Sequence, residues 1–150
     1  MSNRKVKIAI AGVGTVGKGL LNLLRVYKNN EIKIEISAIA SRKKQKFQGE
    51  IFKNTLFFKD AKKFLSFDDY DILVELIGGE KGISKDIVFN ALEKKKNVVT
   101  ANKALVSKFW KQFISLMKKN ECTLKYEAAV AGGIPIIKVI NEFLFSNKIK

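Results

Sequence analysis

Apolar positions along the chain fall into short continuous runs separated by stretches with helical spacing. Val6 to Ala11 is an apolar run of strand length that ends in glycine. Over 15–28, Val16, Leu20, Leu23, Leu24 and Tyr27 recur every three to four positions, which predicts a helix. Residues 32–40 predict a second strand. The stretch 42–59 is polar and irregular, with a short strand at Leu56-Phe57-Phe58, and 60–66 predicts a short helix. Residues 71–77 form a buried-strand pattern stopped by Gly78-Gly79. An amphipathic helix follows over 84–95, with Ile87, Val88, Ala91 and Leu92 inward. A short strand at 97–100 leads to a helix over 103–119, carried by Leu105, Val106, Phe109, Phe113, Leu116 and Met117. Residues 123–127 read as a last strand. A final helix is expected over 135–145, with Pro135 near its first turn, where proline is tolerated.

Strands that alternate with helices and are apolar almost throughout imply a parallel sheet covered on both faces. With six strand candidates and a glycine loop after the first, the fold class is α/β, a doubly wound parallel sheet of the Rossmann type. The 150 residues suit one domain. The expected division is a dinucleotide-binding domain over 1–134 and, over 135–150, the start of a connection to a further domain.

Composition narrows the chemistry. The sequence has no histidine, so histidine-based triads, histidine–zinc sites and a histidine proton shuttle are excluded within this chain. Proton transfer would fall to lysine, a carboxylate, tyrosine or water. Cys122 is the only cysteine, which rules out an intrachain disulfide and reads as a core residue. Arg4, Lys5 and Lys7 interrupt the N-terminus, and the apolar run at 8–13 is too short to span a bilayer, so a cytoplasmic protein is expected. The net charge is +15, and only Arg4, Arg25 and Arg42 among the 29 basic residues are arginines. Specific nucleic-acid readers favour arginine for bidentate base contacts. The scattered lysines read instead as a solvated surface that attracts anionic cofactors and substrates, with neither a nucleic-acid nor a membrane partner expected.

The segment Gly12-Val13-Gly14-Thr15-Val16-Gly17 fits the GxGxxG pattern with a strand before it and a helix after it. Gly12 permits the tight turn, Gly14 lets the backbone approach a pyrophosphate, and Gly17 lets the helix pack closely. The first helical N–H groups, Thr15 and Val16 among them, face the phosphates. Enzymes that use NAD commonly place an acid at the end of the second strand to bond the ribose 2′-hydroxyl. Residues 37–48 contain none, whereas Ser41, Arg42 and Lys43 offer a hydroxyl and two cations. These suit a 2′-phosphate, so NADP is favoured over NAD.

Three further segments follow in order: Val74-Glu75-Leu76-Ile77-Gly78-Gly79, then Val98-Val99-Thr100-Ala101-Asn102-Lys103-Ala104-Leu105, then residues 126–137, Tyr126-Glu127-Ala128-Ala129-Val130-Ala131-Gly132-Gly133-Ile134-Pro135-Ile136-Ile137. Together with the glycine loop this set closely resembles the N-terminal part of homoserine dehydrogenase, over roughly residues 5–145. The resemblance implies interconversion of aspartate 4-semialdehyde and homoserine with NAD(P)H, on the route to threonine and methionine. It places Gly78, Gly79 and Thr100 beside the cofactor. It places Lys103, the lysine of the Ala-Asn-Lys motif, near nicotinamide and substrate as the catalytic residue. It also implies a sodium ion held by the Glu127 carboxylate and the backbone carbonyls of Val130, Gly132 and Ile134, hard donors for a hard cation.

Read without the resemblance, Lys103 follows the fifth strand at the carboxyl edge where such sheets bind ligands, and an ammonium there could stabilise a developing alkoxide. The alternative is a surface lysine at a helix start. Glu127, on the same terms, is a strand-end carboxylate that caps nearby backbone or pairs with a lysine. The family's substrate domain, with its carboxylates and second lysine, has no counterpart in these 150 residues, so this chain alone is expected to be inactive. A homodimer is the assembly the family suggests. A non-catalytic dinucleotide-binding module is the alternative function, but it gives no reason for the segments around Lys103 and Glu127.

Overall fold

The computed structural model describes residues 4–29, 31–43 and 47–144. Six strands, β1 (Arg4–Ala11), β2 (Ile32–Ala40), β3 (Leu56–Phe58), β4 (Ile72–Glu75), β5 (Asn97–Thr100) and β6 (Leu124–Lys125), pair in parallel in the order β3-β2-β1-β4-β5-β6. The helices are α1 (Thr15–Val26), α2 (Ile83–Glu93), α3 (Lys103–Asn120), α4 (Glu127–Val130) and α5 (Ile136–Phe143). This is the doubly wound order, with its switch point between β1 and β4. No helix among the described residues is long and apolar enough to cross a membrane.

Each face of the sheet has its own core. On one face Ile8, Ile10, Ile36, Ile39 and Val74 pack under Leu21 of α1 and Phe52. On the other, Ala9, Ala11, Ala38 and Ala40 leave room for the large rings of Phe64 and Tyr70, while Leu73 and Val98 meet α2 and α3 through Val88, Leu92, Leu105 and Phe113. Small side chains on the strands opposite aromatic rings fill the interior to the density that cores require. The rings come from an irregular segment: the short helix expected at 60–66 is a 3₁₀ helix at Ala61–Leu65, and its first turn is capped by Asp60, which accepts from Lys62 N at 2.9 Å.

The observed strands and helices differ from the sequence pattern mostly at their ends. β2 has the expected bounds, but it carries a bulge. Ile8 pairs with Ile36 while Ala9 pairs with Ala38, so Ser37 is the extra residue. Its buried hydroxyl donates to the Ile8 carbonyl at 3.3 Å. The bulge shifts the alternation, so Ile36 and Ile39 share one face although three positions apart. The strand expected at 123–127 is only two residues long, and Glu127 opens α4. The helix expected over 135–145 runs Ile136–Phe143, and its predicted last residue lies outside the described residues.

Candidate functional site

The carboxyl ends of the strands open onto a cleft of about 920 Å³. Such a volume suits a small-molecule or cofactor site. Its walls are Gly12, Val13, Gly14, Thr15 and Lys18 after β1, Ala40 to Lys43 after β2, Lys59, Asp60 and Ala61 after β3, Leu76 and Ile77 after β4, and Ile83 at the start of α2. The segments after four strands and the start of α2 therefore contribute at the switch point, where an open α/β sheet binds its ligand.

The three glycines of the loop meet different surroundings. Gly12 has φ +103°, and a Cβ there would lie 2.7 Å from the Leu76 carbonyl carbon, so both its conformation and its contact with the β4 loop demand glycine. A Cβ on Gly17 would collide with the Gly12 carbonyl oxygen, so the close approach at this position is between helix and loop. Gly14 has φ −80°, and a Cβ there meets nothing within 4 Å. Its missing side chain is not required by the protein's own packing. The first hydrogen bond inside the helix runs from Lys18 N to the Gly14 carbonyl, which leaves the amides of Thr15, Val16 and Gly17 without a helical acceptor. The side chain of Val16 is 58% exposed and, like buried Gly17, lines no part of the cleft.

After β2, Ser41 N donates to the Phe58 carbonyl at 2.9 Å, and the Ser41 hydroxyl donates to the Lys43 carbonyl at 3.1 Å. Arg42 and Lys43 are exposed on the cleft wall. Lys59 joins them, a residue that sequence reading did not single out because it is one of many lysines; its place after a third strand was the only available signal. Asp60 also lines the cleft, with one oxygen committed to the cap described above.

Gly78, Gly79, Thr100 and Lys103 do not line this cleft; they sit just beyond Ile77, at the ends of β4 and β5 and the start of α3. Lys103 is exposed in the first position of α3, and its side chain makes no hydrogen bond or ion pair among the described residues. The loop after β4 is tied to α3 from outside by Lys108 Nζ to Glu80 Oε1, 2.9 Å; this bond and the Lys108 charge hold the Glu80 carboxyl below its ordinary range. Beneath it lies Glu75, fully buried. Sequence reading quoted Glu75 within a motif and gave it no role.

Glu127, expected as a metal ligand, lies in the first turn of α4 and accepts at Oε1 from Ile137 N at 2.9 Å and Lys138 N at 3.4 Å, capping α5. The Ile134 carbonyl accepts from Ile136 N at 2.8 Å. Two of the four expected donors are thus engaged with the chain itself, and no cluster of three or more metal-binding acids or cysteines occurs among the described residues. In this arrangement the Glu127 carboxylate serves as the cap of α5.

The protein-family model that matches residues 12–127 is described as the NAD-binding domain of homoserine dehydrogenase. Homoserine dehydrogenase of Neisseria gonorrhoeae is 38% identical over 98% of this chain, which covers 34% of that protein. The crystal structure of a homoserine dehydrogenase from Thiobacillus denitrificans superposes with TM-score 0.81 at 31% identity, over 98% of this chain and 35% of that one. A hyperthermophilic archaeal homoserine dehydrogenase solved in complex with NADPH shares the fold, with TM-score 0.76 at 22% identity, over 94% of this chain and 50% of that one. The chain spans about a third of the length of its curated relatives. A glycine loop at the switch point, with a match to the family model across most of the sheet, makes this chain a member of the homoserine dehydrogenase family, and the part it carries is the NAD-binding domain.

Proposed function

We propose that this chain binds NADP and serves the reduction of aspartate 4-semialdehyde to homoserine as the cofactor-holding part of a homoserine dehydrogenase. The observation that carries the cofactor reading is Gly14: an unobstructed glycine that lines the cleft with Thr15, Lys18, Arg42, Lys43 and Lys59, at the head of a helix whose first three amides have no helical acceptor. A pyrophosphate on those amides would gain charge-assisted hydrogen bonds and the favourable end of the helix dipole. A 2′-phosphate would meet Arg42, Lys43 and Lys59, which favours NADP over NAD.

The bound dinucleotide would supply the hydride. Lys103 is the residue proposed to hold a proton at Nζ beside the substrate oxygen, where its charge would stabilise the alkoxide as it forms. Thr100, Gly78 and Gly79 are proposed to border the nicotinamide half. From residue 135 onward the chain is proposed to lead toward the part that binds substrate. Proposed as well are a homodimer and a sodium ion on Glu127, Val130, Gly132 and Ile134, the latter requiring Glu127 to use its second oxygen or to give up its cap.

The test is titration of this chain with NADPH and NADH by cofactor fluorescence. Binding of both, tighter for NADPH, is expected, and absence of both overturns the cofactor reading. Arg42→Ala and Lys59→Ala should each weaken NADPH more than NADH; equal losses would refute the 2′-phosphate role. With homoserine and NADP the chain alone should turn over little substrate.

A further inference from the structure

Glu75 is a fully buried carboxylate whose hydrogen bonds all come from neutral donors. Its Oε1 accepts from Ile77 N at 2.8 Å and Gly78 N at 3.0 Å, and its Oε2 accepts from the Thr100 hydroxyl at 2.6 Å. A buried carboxylate without a cation is costly and is tolerated only when its acceptors are satisfied. Here the satisfaction comes from one direction: every donor belongs to the ends of β4 and β5, where Glu75 and Thr100 are register partners.

The bonds continue beyond Thr100. Its oxygen accepts from Asn102 N at 3.0 Å. The Asn102 amide then donates to the Gly79 carbonyl at 2.6 Å and to Ser84 Oγ, in the first turn of α2, at 2.9 Å. Its Oδ1 accepts from Leu105 N at 3.1 Å and caps α3. The chain therefore leaves Glu75, crosses Thr100 and Asn102, and returns to Gly79 in the loop where it began. A closed circuit of this kind fixes the glycine loop after β4 and the first residue of α3, Lys103, as one body. A core needing only to be filled would place an apolar residue at position 75, as it does at Leu73 on the same face.

The geometry points to Glu75 as a positioning residue for the nicotinamide half of the cofactor site, holding the Gly78–Gly79 loop and Lys103 in register through Thr100 and Asn102. This inference rests on the cofactor reading above. In a doubly wound sheet the dinucleotide crosses from the first half to the second at the switch point, so the ends of β4 and β5 lie under the half distal to the adenosine. Glu75 does not border the cleft, so its influence would run through the backbone it holds.

The experiment compares two probes on the same protein: NADPH, which spans both halves of the site, and 2′,5′-ADP, which occupies only the adenosine half. Glu75→Gln keeps an oxygen for the two amides but sets an NH₂ group against Thr100, so the Thr100 hydroxyl proton loses its acceptor. Thr100→Val removes the bridging hydroxyl at nearly equal volume, and Thr100→Ser restores it. Glu75→Gln and Thr100→Val should weaken NADPH roughly tenfold, the consequence of one unsatisfied buried group, with 2′,5′-ADP unchanged and Thr100→Ser close to the parent. Unchanged NADPH affinity in both variants overturns the inference. So does an equal loss for both probes, which would mark Glu75 as a general stability residue. If Glu75→Gln fails to fold, Ser84→Ala, which removes one acceptor of the Asn102 amide at the far end of the circuit and lies at no residue proposed to touch the cofactor, decides on the same criteria. Failure of the parent chain to bind either probe would instead sink the cofactor reading itself.

Discussion

At the level of single residues, the three loop glycines have separable duties, and substitution should separate them. Gly17→Ala drives a methyl group into the Gly12 carbonyl. Backbone cannot swing aside as a side-chain tip can, so a loss on the order of 1–3 kcal/mol is expected, as for other overpacked positions. Gly14→Ala meets no atom of the protein and adopts an ordinary φ, so stability should stay within about 0.5 kcal/mol of the parent. Its methyl group would instead project into the space proposed for the pyrophosphate. Thermal unfolding and NADPH titration on the two variants should therefore give opposite profiles: Gly17→Ala destabilised, Gly14→Ala stable but binding poorly. A stable Gly14→Ala that binds NADPH as the parent does would show that the pyrophosphate lies elsewhere. The glycine spacing was legible in the sequence; the identity of each contact was not, because Gly12 and Gly17 answer to Leu76 and to each other across a fold the local pattern does not contain. Lys59 and Glu75 were missed for the same reason. Neither breaks a pattern, and each acquires meaning only from what parallel pairing sets beside it.

Among the elements, those that bury a full face were readable and those held by a neighbour were not. The bounds of β2 and of β5 match the apolar pattern, with Ile36 to Ala40 of β2 and Val98 of β5 buried in the sheet's cores. β6 survives for two residues only because Val98 and Val99 of β5 offer it a ladder, and the chain turns away where Tyr126 packs against Trp110. That turn moves Glu127 from a strand end to the cap of α5. The helix α5 buries no residue among those described, so its first-turn amides depend on this cap. Glu127→Ala should cost about 1 kcal/mol locally, the usual worth of an N-cap, seen as faster amide exchange at Ile137 and Lys138. Glu127→Gln, which keeps an oxygen, should lose less. Exchange measured in sodium chloride and in choline chloride bears on the proposed ion: protection specific to sodium and absent in Glu127→Gln would support it, and identical rates in the two salts would leave the carboxylate with the cap alone.

For the molecule as a whole, the decisive property is charge. A net charge of +15 is compatible with a basic surface for any anion, and in the sequence only the scarcity of arginine and the scatter of the lysines argue against nucleic-acid binding. The fold adds position: Lys18, Arg42, Lys43 and Lys59 share one concave wall, whereas other lysines are paired outside it, Lys7 with Asp69, Lys94 with Asp68 and Lys108 with Glu80. Cations on a cleft wall focus the field on whatever enters, and salt weakens that field as the screening length falls from about 10 Å at 0.1 M to about 3 Å at 1 M. The 2′-phosphate is the group that distinguishes NADPH from NADH, and the wall at Arg42, Lys43 and Lys59 is exposed to solvent and thus to screening. Affinity for NADPH should fall as salt rises, and it should fall faster than affinity for NADH, so that the preference between them narrows. The amides of the glycine loop are common to both cofactors and cancel in that ratio. Isothermal titrations of the two cofactors across this salt range measure it directly. A preference for NADPH that persists undiminished at high salt would mean that short, desolvated contacts hold the phosphate, and that the open wall of lysine and arginine is not what selects it.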